Sequence, residues 1–392
     1  MTQIIATKNN SPEVAHILRE HIADYQSAYP LWPEHKKIVT DLLNCRTEKL
    51  GGQIERCDHC GTLRITYHSC RNRHCPKCQH MPRERWLEKR KAEILPTSYF
   101  HVVFTLPHEL NTITLNNKKP MLNILFKAVS KTLLCFGENE LNGTLGFLAI
   151  LHTWDQKLNA HFHLHCLIPG GVFSKHDQKW IACKNDYLFN QDALSLVFRG
   201  KFIDYMGQAC QSDKLKLNTN AYQKLKNTLF KKKWVVSVRD PVKRAQYVLE
   251  YLARYTHRVA IANSRIKALK DGMVSFSAKD RKKNCTELIT ISAVEFIRRF
   301  LLHSLPKRFV RIRHYGFLAN RNRTKNLNTI RQAMGVATPM TTDMLPLEEM
   351  MLQLTGIDMT TCPCCKKGKM QVFAQIPRYR ARDPNRTACI AG

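Results

Sequence analysis

Three features that would place a protein in a membrane, on a membrane or outside the cell are missing from this sequence. No apolar run reaches the 18 or so residues that a membrane-spanning helix needs. No long basic amphipathic segment is present, which argues against a membrane-surface protein. Residues 1–12 are polar and lack the apolar core of a secretion signal, so we expect a cytoplasmic protein. Internal repeats are also absent, which excludes a solenoid.

Acidic residues are scarce relative to basic ones. The 392 residues include 31 Asp and Glu but 62 Lys and Arg, which gives a formal net charge of +31. The imbalance recurs along the chain and is not confined to one tail. Because such a field attracts a polyanion and speeds encounter with it, the predicted partner is nucleic acid. The length is sufficient for two or three domains with a substantial core.

Cysteine, in contrast, is abundant. Fifteen cysteines in a chain without an export signal indicate metal ligands and reduced thiols, not a disulfide framework. Cys57-x-x-Cys60 and Cys75-x-x-Cys78 are separated by a hairpin-length segment, which is the spacing of a structural Zn²⁺ site closed by four thiolates. Four nearby side chains are alternative ligands, or ligands of a second ion: Cys45, His68, Cys70 and His74.

A histidine-rich stretch at residues 159–171 has the alternation of a β-strand. One face carries His161, His163 and His165, and the other carries Phe162, Leu164, Cys166 and Ile168. Histidines two apart on a strand are separated by roughly 6.6 Å at Cα and can share one cation, whereas histidines four apart, at roughly 13 Å, cannot do so comfortably. The metal pair is therefore His161 with His163, or His163 with His165. The alternative is a polar strand face with solvated histidines.

A second stretch places three tyrosines on one predicted helix. The helix is expected to begin at Asp240–Pro241, and Tyr247, Tyr251 and Tyr255 follow four residues apart on one face. Tyrosines at this spacing are normally packed in a core. Here cations flank them, and cations stabilise phenolates or hold a phosphate beside them. These flanking residues are Arg244, Arg254, His257 and Arg258.

Six arginines are the predicted DNA contacts. Arg71 and Arg73 lie in the second cysteine segment, and Arg254 and Arg258 lie beside the tyrosines. In residues 305–317, arginines alternate with Phe, Val, Ile and Tyr, a pattern typical of a nucleic-acid-binding surface that combines charge with stacking. This last segment contributes Arg311 and Arg313.

The predicted fold class is α+β with an antiparallel sheet. Residues 99–106 and 145–154 have strand character, a helix is expected at 120–135, and the histidine strand follows 145–154 directly. The expected domains are a helical, zinc-ribbon-like domain at 1–95, a catalytic domain at 96–330 and a tail at 331–392. The tail contains an isolated Cys362-x-x-Cys365 pair, which is half of a zinc site.

Metal-binding histidines, a tyrosine helix and a surface that attracts polyanions fit one reaction. A divalent cation would polarise a phosphodiester, and a tyrosine hydroxyl would attack it. The products would be a free 3′-hydroxyl and a 5′-phosphotyrosine. Because the covalent link retains the bond energy, a second strand end could rejoin without a nucleotide cofactor.

Several motifs resemble those of the IS91 family of rolling-circle transposases. The resemblance is collinear over residues 10–330 and rests on residues 70–76, 152–154, 161–171, 251–261 and 311–316. It implies an antiparallel-sheet HUH nuclease domain that binds catalytic Mg²⁺ or Mn²⁺ through His163 and His165, with Tyr251 and Tyr255 as nucleophiles. Single-stranded DNA at the element ends would be the substrate. A third metal ligand is expected, and the candidates are His101, Gln156, Gln246 and Glu250.

Three alternatives remain open at this point. A plasmid relaxase or replication initiator would use the same chemistry in a different genetic role. A non-enzymatic, zinc-dependent DNA-binding protein would keep the tyrosines in its core. A hydrolytic metal-dependent nuclease would use water as the nucleophile, so that the tyrosines would be dispensable for cleavage.

Overall fold

The structure is a computed structural model that describes residues 11–184, 186–256, 258–280, 283–339 and 345–379, without the side chains of Ala245, Gln246 and Arg254. The helices are α1 (Val14–Ala28), α2 (Pro33–Leu43), α3 (His80–Lys91), α4 (Asn111–Asn116), α5 (Lys118–Leu141), α6 (Gln191–Gln211), α7 (Thr219–Lys231), α8 (Ala245–Tyr255), α9 (Ala293–Leu302), α10 (Arg323–Ala333) and α11 (Leu347–Thr355). Among these described helices, none has the length and apolarity needed to cross a bilayer.

The strands form four antiparallel sheets. They are β1 (Gly52–Cys57), β2 (Leu63–Tyr67), β3 (Tyr99–Thr105), β4 (Gly146–Trp154), β5 (Ala160–Pro169), β6 (Gly171–Ser174), β7 (Lys179–Ala182), β8 (Val235–Val242), β9 (Ile266–Lys270), β10 (Met273–Asp280), β11 (Cys285–Ser292), β12 (Ile312–Gly316) and β13 (Met370–Ile376). The largest sheet has five strands in the order β12-β4-β5-β3-β8. The predicted α+β class and antiparallel sheet are therefore confirmed.

The two faces of the five-stranded sheet differ as the histidine-strand pattern predicts. Phe162, Leu164, Cys166 and Ile168 on β5 are buried in the main hydrophobic core. That core is completed by apolar residues of α5 and α6. On the opposite face, α8 packs against β3, β4 and β5 through Val248, Tyr251 and Leu252. The histidines occupy the part of this face beside α8.

The tyrosine helix begins later than the sequence indicates. Strand β8 continues through Asp240–Pro241 to Val242, and α8 begins at Ala245. Proline is compatible with this position because β8 is an edge strand, where one side of the backbone needs no ladder partner. Asp240 and Pro241 therefore end a strand, although the same pair is a common helix start.

The N-terminal helices are not packed as a separate unit. Val14, Ile17 and Leu18 of α1 are buried in one cluster with Phe296 and Ile297 of α9. Residues of α2, β9 and β10 contribute to the same cluster. The predicted domain boundary lies near residue 95. One hydrophobic cluster contains residues from both sides of this position, from residues 14–45 and from residues 260–301. Amphipathic helices too short to bury their own apolar faces explain this arrangement.

The C-terminal segment is part of a sheet with the N-terminal domain. Strand β13 pairs antiparallel with β1, from Gly52 opposite Ile376 to Cys57 opposite Met370, and forms the sheet β13-β1-β2. The tail predicted at residues 331–392 therefore contains an ordered strand, β13, through Ile376. The partner strand lies more than 300 residues away in the sequence, so local patterning contains no signal for this pairing. Residues 380–392 lie outside the described residues.

A glycine at the end of β12 permits a close backbone approach. Gly316 has φ +60°, and a Cβ built on it would lie 1.5 Å from the carbonyl oxygen of Leu145. We expect Gly316→Ala to lower the free energy of unfolding by at least about 2 kcal/mol, because backbone atoms must move as well as adopt a left-handed conformation. Gly272→Ala is the control, since φ is +70° but no atom lies within 4 Å. Its cost should be about 1 kcal/mol by chemical denaturation. Equal costs for the two variants would contradict this account.

Candidate active site and cysteine clusters

Three histidines from two neighbouring strands form a cluster on the α8 side of the main sheet. His152 of β4 lies directly opposite His163 of β5, and His165 follows on the same face. One ring nitrogen from each of these three residues lies within 4.8 Å of the others. His161 lies outside this cluster, although its ring contacts that of His163 in a tilted arrangement with 4.7 Å between centroids. Of the two pairs that strand spacing allows, the geometry favours His163 with His165.

Hydrogen bonds at the back of the imidazoles orient the cluster. His163 Nδ1 lies 3.0 Å from the carbonyl oxygen of His161, and His152 Nε2 lies 2.9 Å from that of Tyr255. Since a carbonyl only accepts, each of these nitrogens donates its hydrogen, which leaves His163 Nε2 and His152 Nδ1 as the ring nitrogens available to a cation. His165 Nδ1 pairs with His101 Nε2 at 2.9 Å. Such backing bonds are typical of metal-ligating histidines.

Burial keeps His152 neutral. Desolvation is the main cause that lowers the pKa of His152 to about 3, and nearby Arg258 and Arg311 add to it. The imidazole is therefore neutral across the physiological pH range, and its ring nitrogen without a hydrogen can donate a lone pair to a cation.

The two tyrosines that the resemblance selects lie in different environments. Tyr255 lies against the histidine cluster, with its ring centroid 4.3 Å from that of His165, and it lines the pocket described below. Tyr251 lies one turn earlier, with its ring tilted against that of His101 at 4.5 Å between centroids, and only 9% of its surface is exposed. Its hydroxyl is buried and has no hydrogen-bond partner among the described residues. Burial, followed by the neighbouring Tyr255, raises the pKa of Tyr251 well above its usual value.

An open pocket of 610 Å³ lies over the cluster. The three clustered histidines, His161 and Tyr255 line it, together with Trp154 and Gln156. Its rim is mostly basic but includes two carboxylates, and the charged residues are Asp155, Lys157, Arg239, Arg258, Lys279 and Asp280. A phosphate group in this pocket would meet both imidazoles and cations.

Sequence reasoning missed His152 as a candidate third ligand. Of the four candidates it proposed, His101 is hydrogen-bonded to His165 and Gln156 lines the pocket. Glu250 is exposed and belongs to neither the histidine cluster nor the pocket lining, and the Gln246 side chain is outside the described residues. The available signal was the hairpin itself. A short connection between β4 and β5 makes residues near 152 face residues near 163, so two histidines on one face become neighbours.

The predicted DNA-binding arginines divide into different groups. Arg258 lines the histidine pocket. Arg71 is exposed beside a second pocket of 660 Å³, which is lined by residues of α2, by residues 70–74 and by Leu305, Lys307 and Arg308 after α9. The side chain of Arg254 is outside the described residues.

The other three arginines bind the protein itself. Arg73 donates to the carbonyl oxygens of Pro306 and Phe309 at 2.8 and 2.6 Å. Arg311 is largely buried and donates to the carbonyl oxygen of Arg258 at 3.0 Å. Arg313 lies over the ring of Phe126, 4.0 Å from its centroid. These contacts hold the three side chains against the protein itself, and their predicted contact with DNA stays a prediction.

Eight of the fifteen cysteines form two separate clusters of four within the described part of the chain. Cys45, Cys70, Cys75 and Cys78 place their sulfur atoms within 4.8 Å of one another, and the closest described pairs are 3.4 to 3.7 Å apart. Ligands of a tetrahedral Zn²⁺ with bonds of about 2.3 Å are about 3.8 Å apart, so this donor set fits zinc. Cys57 and Cys60, which the sequence assigns to the same site as Cys75 and Cys78, instead lie with Cys362 and Cys365. The alternative ligands His68 and His74 belong to neither cluster.

Comparisons with known proteins agree with a zinc-binding protein that has an enzyme-like pocket. A family model described as "Putative transposase" matches residues 146–326, and one described as "Transposase zinc-binding domain" matches residues 17–106. "Putative transposase y4qJ" from Sinorhizobium fredii is 42% identical over 92% of this chain and 94% of its own length. "Transposase for insertion sequence element IS801" from Pseudomonas savastanoi pv. phaseolicola is 24% identical over 83% of this chain and 80% of its own length.

The chain is thus a transposase with an N-terminal zinc-binding domain. It belongs to the IS91 family of transposases, as its sequence motifs imply. A transposase is a DNA-cleaving enzyme, so DNA is its partner, in agreement with the net charge of +31. No solved structure gives a significant match.

Proposed function

We propose that this transposase cleaves and rejoins single-stranded DNA through a 5′-phosphotyrosine intermediate, with Tyr255 as the first nucleophile. It would move an insertion sequence by a rolling-circle route in the bacterial cytoplasm, as a protein similar to the one named for IS801. The observation that carries the proposal is the position of Tyr255, whose ring lies 4.3 Å from that of His165 in the histidine pocket.

The histidine cluster suits a catalytic divalent cation. His152, His163 and His165 supply three imidazole nitrogen donors on one side, and the pocket leaves the other side open to phosphate. Mg²⁺ prefers oxygen ligands, whereas Mn²⁺ binds imidazole more readily, so this donor set favours Mn²⁺. When bound, the cation would act as a Lewis acid on a non-bridging phosphate oxygen.

The chain's own groups would supply the rest of the reaction. The Tyr255 oxygen would form a bond to phosphorus while the bond from phosphorus to the 3′ oxygen breaks. The phenol proton would be lost, and the leaving oxygen would become a 3′-hydroxyl by gaining a proton. Because a free tyrosine has a pKa near 10, cations must favour its phenolate. Arg258 and Arg239 line the same pocket and are suited to this role and to holding the phosphate.

Tyr251 is suited to a later step. Its hydroxyl is buried beneath His101 and Tyr255, and a raised pKa opposes formation of a phenolate there. It would reach a second DNA end only after side chains at the end of α8 rearrange. The non-enzymatic alternative predicts that both tyrosines are in the core, and the position of Tyr255 argues against it.

The reaction products test the proposal. With a single-stranded oligonucleotide from an element end and Mn²⁺, we expect a protein–DNA adduct that survives denaturation, together with a fragment ending in a 3′-hydroxyl. Chelation should abolish both products. A hydrolytic nuclease would instead yield a free 5′ end and no adduct, which would contradict the proposal. An excision and integration assay separates the transposase from the relaxase or replication initiator, since an initiator would nick its origin without integrating an element end.

A further inference from the structure

A second cysteine cluster joins the two ends of the chain. Cys57 and Cys60 lie at the end of β1, and Cys362 and Cys365 lie just before β13. We propose that these four residues hold a second Zn²⁺ ion, which fastens the C-terminal segment to the N-terminal domain. Cys362 and Cys365 lie beyond both family matches, which end at residues 106 and 326. The inference concerns a metal site and does not depend on the proposed DNA chemistry.

The sulfur positions fit a tetrahedral site. Cys57 Sγ lies 3.7 Å from Cys365 Sγ, and Cys60 Sγ lies 3.7 Å from Cys362 Sγ. All four sulfur atoms lie within 4.8 Å of one another. Sulfur atoms bound to one Zn²⁺ are about 3.8 Å apart, whereas the sulfur atoms of a disulfide are about 2.05 Å apart. Each close contact links one Cys-x-x-Cys pair to the other, as a shared ion requires.

The two Cys-x-x-Cys turns have the same backbone conformation. In the first, the amide of Gly61 donates to the carbonyl oxygen of Cys57 at 3.1 Å; in the second, the amide of Lys366 donates to that of Cys362 at 3.0 Å. Gly61 and Lys366 both have left-handed φ values, of 70° and 58°. Equivalent turns that face each other are the architecture of a two-knuckle zinc site.

Backbone amides also point at the sulfur atoms. The amide of Cys60 donates to Cys57 Sγ at 3.5 Å, and the amide of Gly368 donates to Cys365 Sγ at 3.4 Å. Such hydrogen bonds stabilise thiolates, the form that binds a metal. A Cβ on Gly368 would lie 2.5 Å from Cys57 Sγ, so a glycine is needed where the two turns approach most closely.

Protein contacts around the cluster align the two turns. The amide of Asp58 donates to the carbonyl oxygen of Lys369 at 3.1 Å, and the amide of Lys369 returns a bond to Asp58 Oδ1 at 2.8 Å. Strand pairing continues from Cys57 opposite Met370 to Gly52 opposite Ile376. The metal would therefore hold together a small three-stranded sheet to which both ends of the chain contribute strands. So short a sheet has little hydrophobic core, and a bound metal would supply the stability that the core does not.

Zinc content of the purified full chain tests the inference. We expect the double variant Cys362→Ser/Cys365→Ser to contain one Zn²⁺ per chain fewer than the wild type, because Zn²⁺ bound by the three histidines would be the same in both proteins. The matched control is Cys364→Ser, which changes the neighbouring cysteine outside the cluster and should keep the wild-type zinc content. Equal zinc contents in the double variant and the wild type would overturn the inference.

A measurement on the wild-type chain covers the case in which the double variant does not fold. Replacing Zn²⁺ by Co²⁺ gives visible absorption that reports tetrahedral thiolate ligation. The sulfur-to-cobalt band should reach twice the intensity of that of one four-thiolate site, and Co²⁺ bound by the three histidines adds nothing to this band. A band with the intensity of a single four-thiolate site would contradict a second site.

Discussion

Tyr255→Phe should reduce cleavage of single-stranded DNA by at least about 10³-fold, because it removes the proposed attacking oxygen from the histidine pocket. Tyr251→Phe should leave the first cleavage within about tenfold of wild type, since its hydroxyl is buried away from that pocket. Strand rejoining, in which a second tyrosine is expected to act, should fall in Tyr251→Phe. Single-turnover cleavage and strand-transfer assays separate the two steps.

Tyr247→Phe is the matched control for both variants. Tyr247 lies on the same helix one turn earlier and is 46% exposed, so the loss of its hydroxyl should change neither step. Tyr251→Phe also removes a buried hydroxyl without a described partner, and its stability should therefore be equal to or higher than that of wild type. If Tyr251→Phe abolished the first cleavage while Tyr255→Phe retained it, the proposed order would be wrong.

His152→Ala should weaken metal binding and reduce cleavage by about 10²-fold or more at limiting Mn²⁺. The variant removes one of three imidazoles whose nitrogens lie within 4.8 Å of one another. Excess Mn²⁺ should restore part of the activity, because His163 and His165 remain. Cleavage rates measured across a Mn²⁺ titration would show this as a rise in the metal concentration needed for half-maximal rate.

His161→Ala is the control for the metal-binding variant. His161 supports His163 through its backbone carbonyl, which alanine retains, and its own ring lies outside the three-histidine cluster. The Mn²⁺ dependence of His161→Ala should therefore stay within about threefold of wild type. A stronger defect in His161→Ala than in His152→Ala would exclude the proposed ligand set.

Much of the sheet and of its chemistry could be predicted from the sequence, because both depend on local alternation. His161, His163 and His165 alternate with apolar residues, and this pattern requires a strand with one buried face. The choice of His163 and His165 came from family resemblance, and the cluster geometry supports it. His152 required the register of a hairpin, which turn geometry sets and alternation alone does not.

Contacts between distant segments could not be predicted in the same way. Cys57 and Cys60 cluster with cysteines about 300 residues later in the sequence. The Cys-x-x-Cys spacing predicts which cysteines form zinc-binding turns, but it does not predict which two turns share one ion. Arg73 and Arg311 look like nucleic-acid contacts in sequence, yet each donates to backbone carbonyls inside the protein. The type of a side chain determines which interactions it can make, and only the fold determines which partner it meets.

Identification of the DNA-linked residue tests the central claim most directly. The wild-type adduct formed with single-stranded DNA and Mn²⁺ would be digested with a protease and a nuclease, and the modified peptide would be sequenced by mass spectrometry. The account predicts a 5′-nucleotide on Tyr255 after the first cleavage. A nucleotide found first on Tyr251 or Tyr247, or cleavage without any tyrosine adduct, would contradict it.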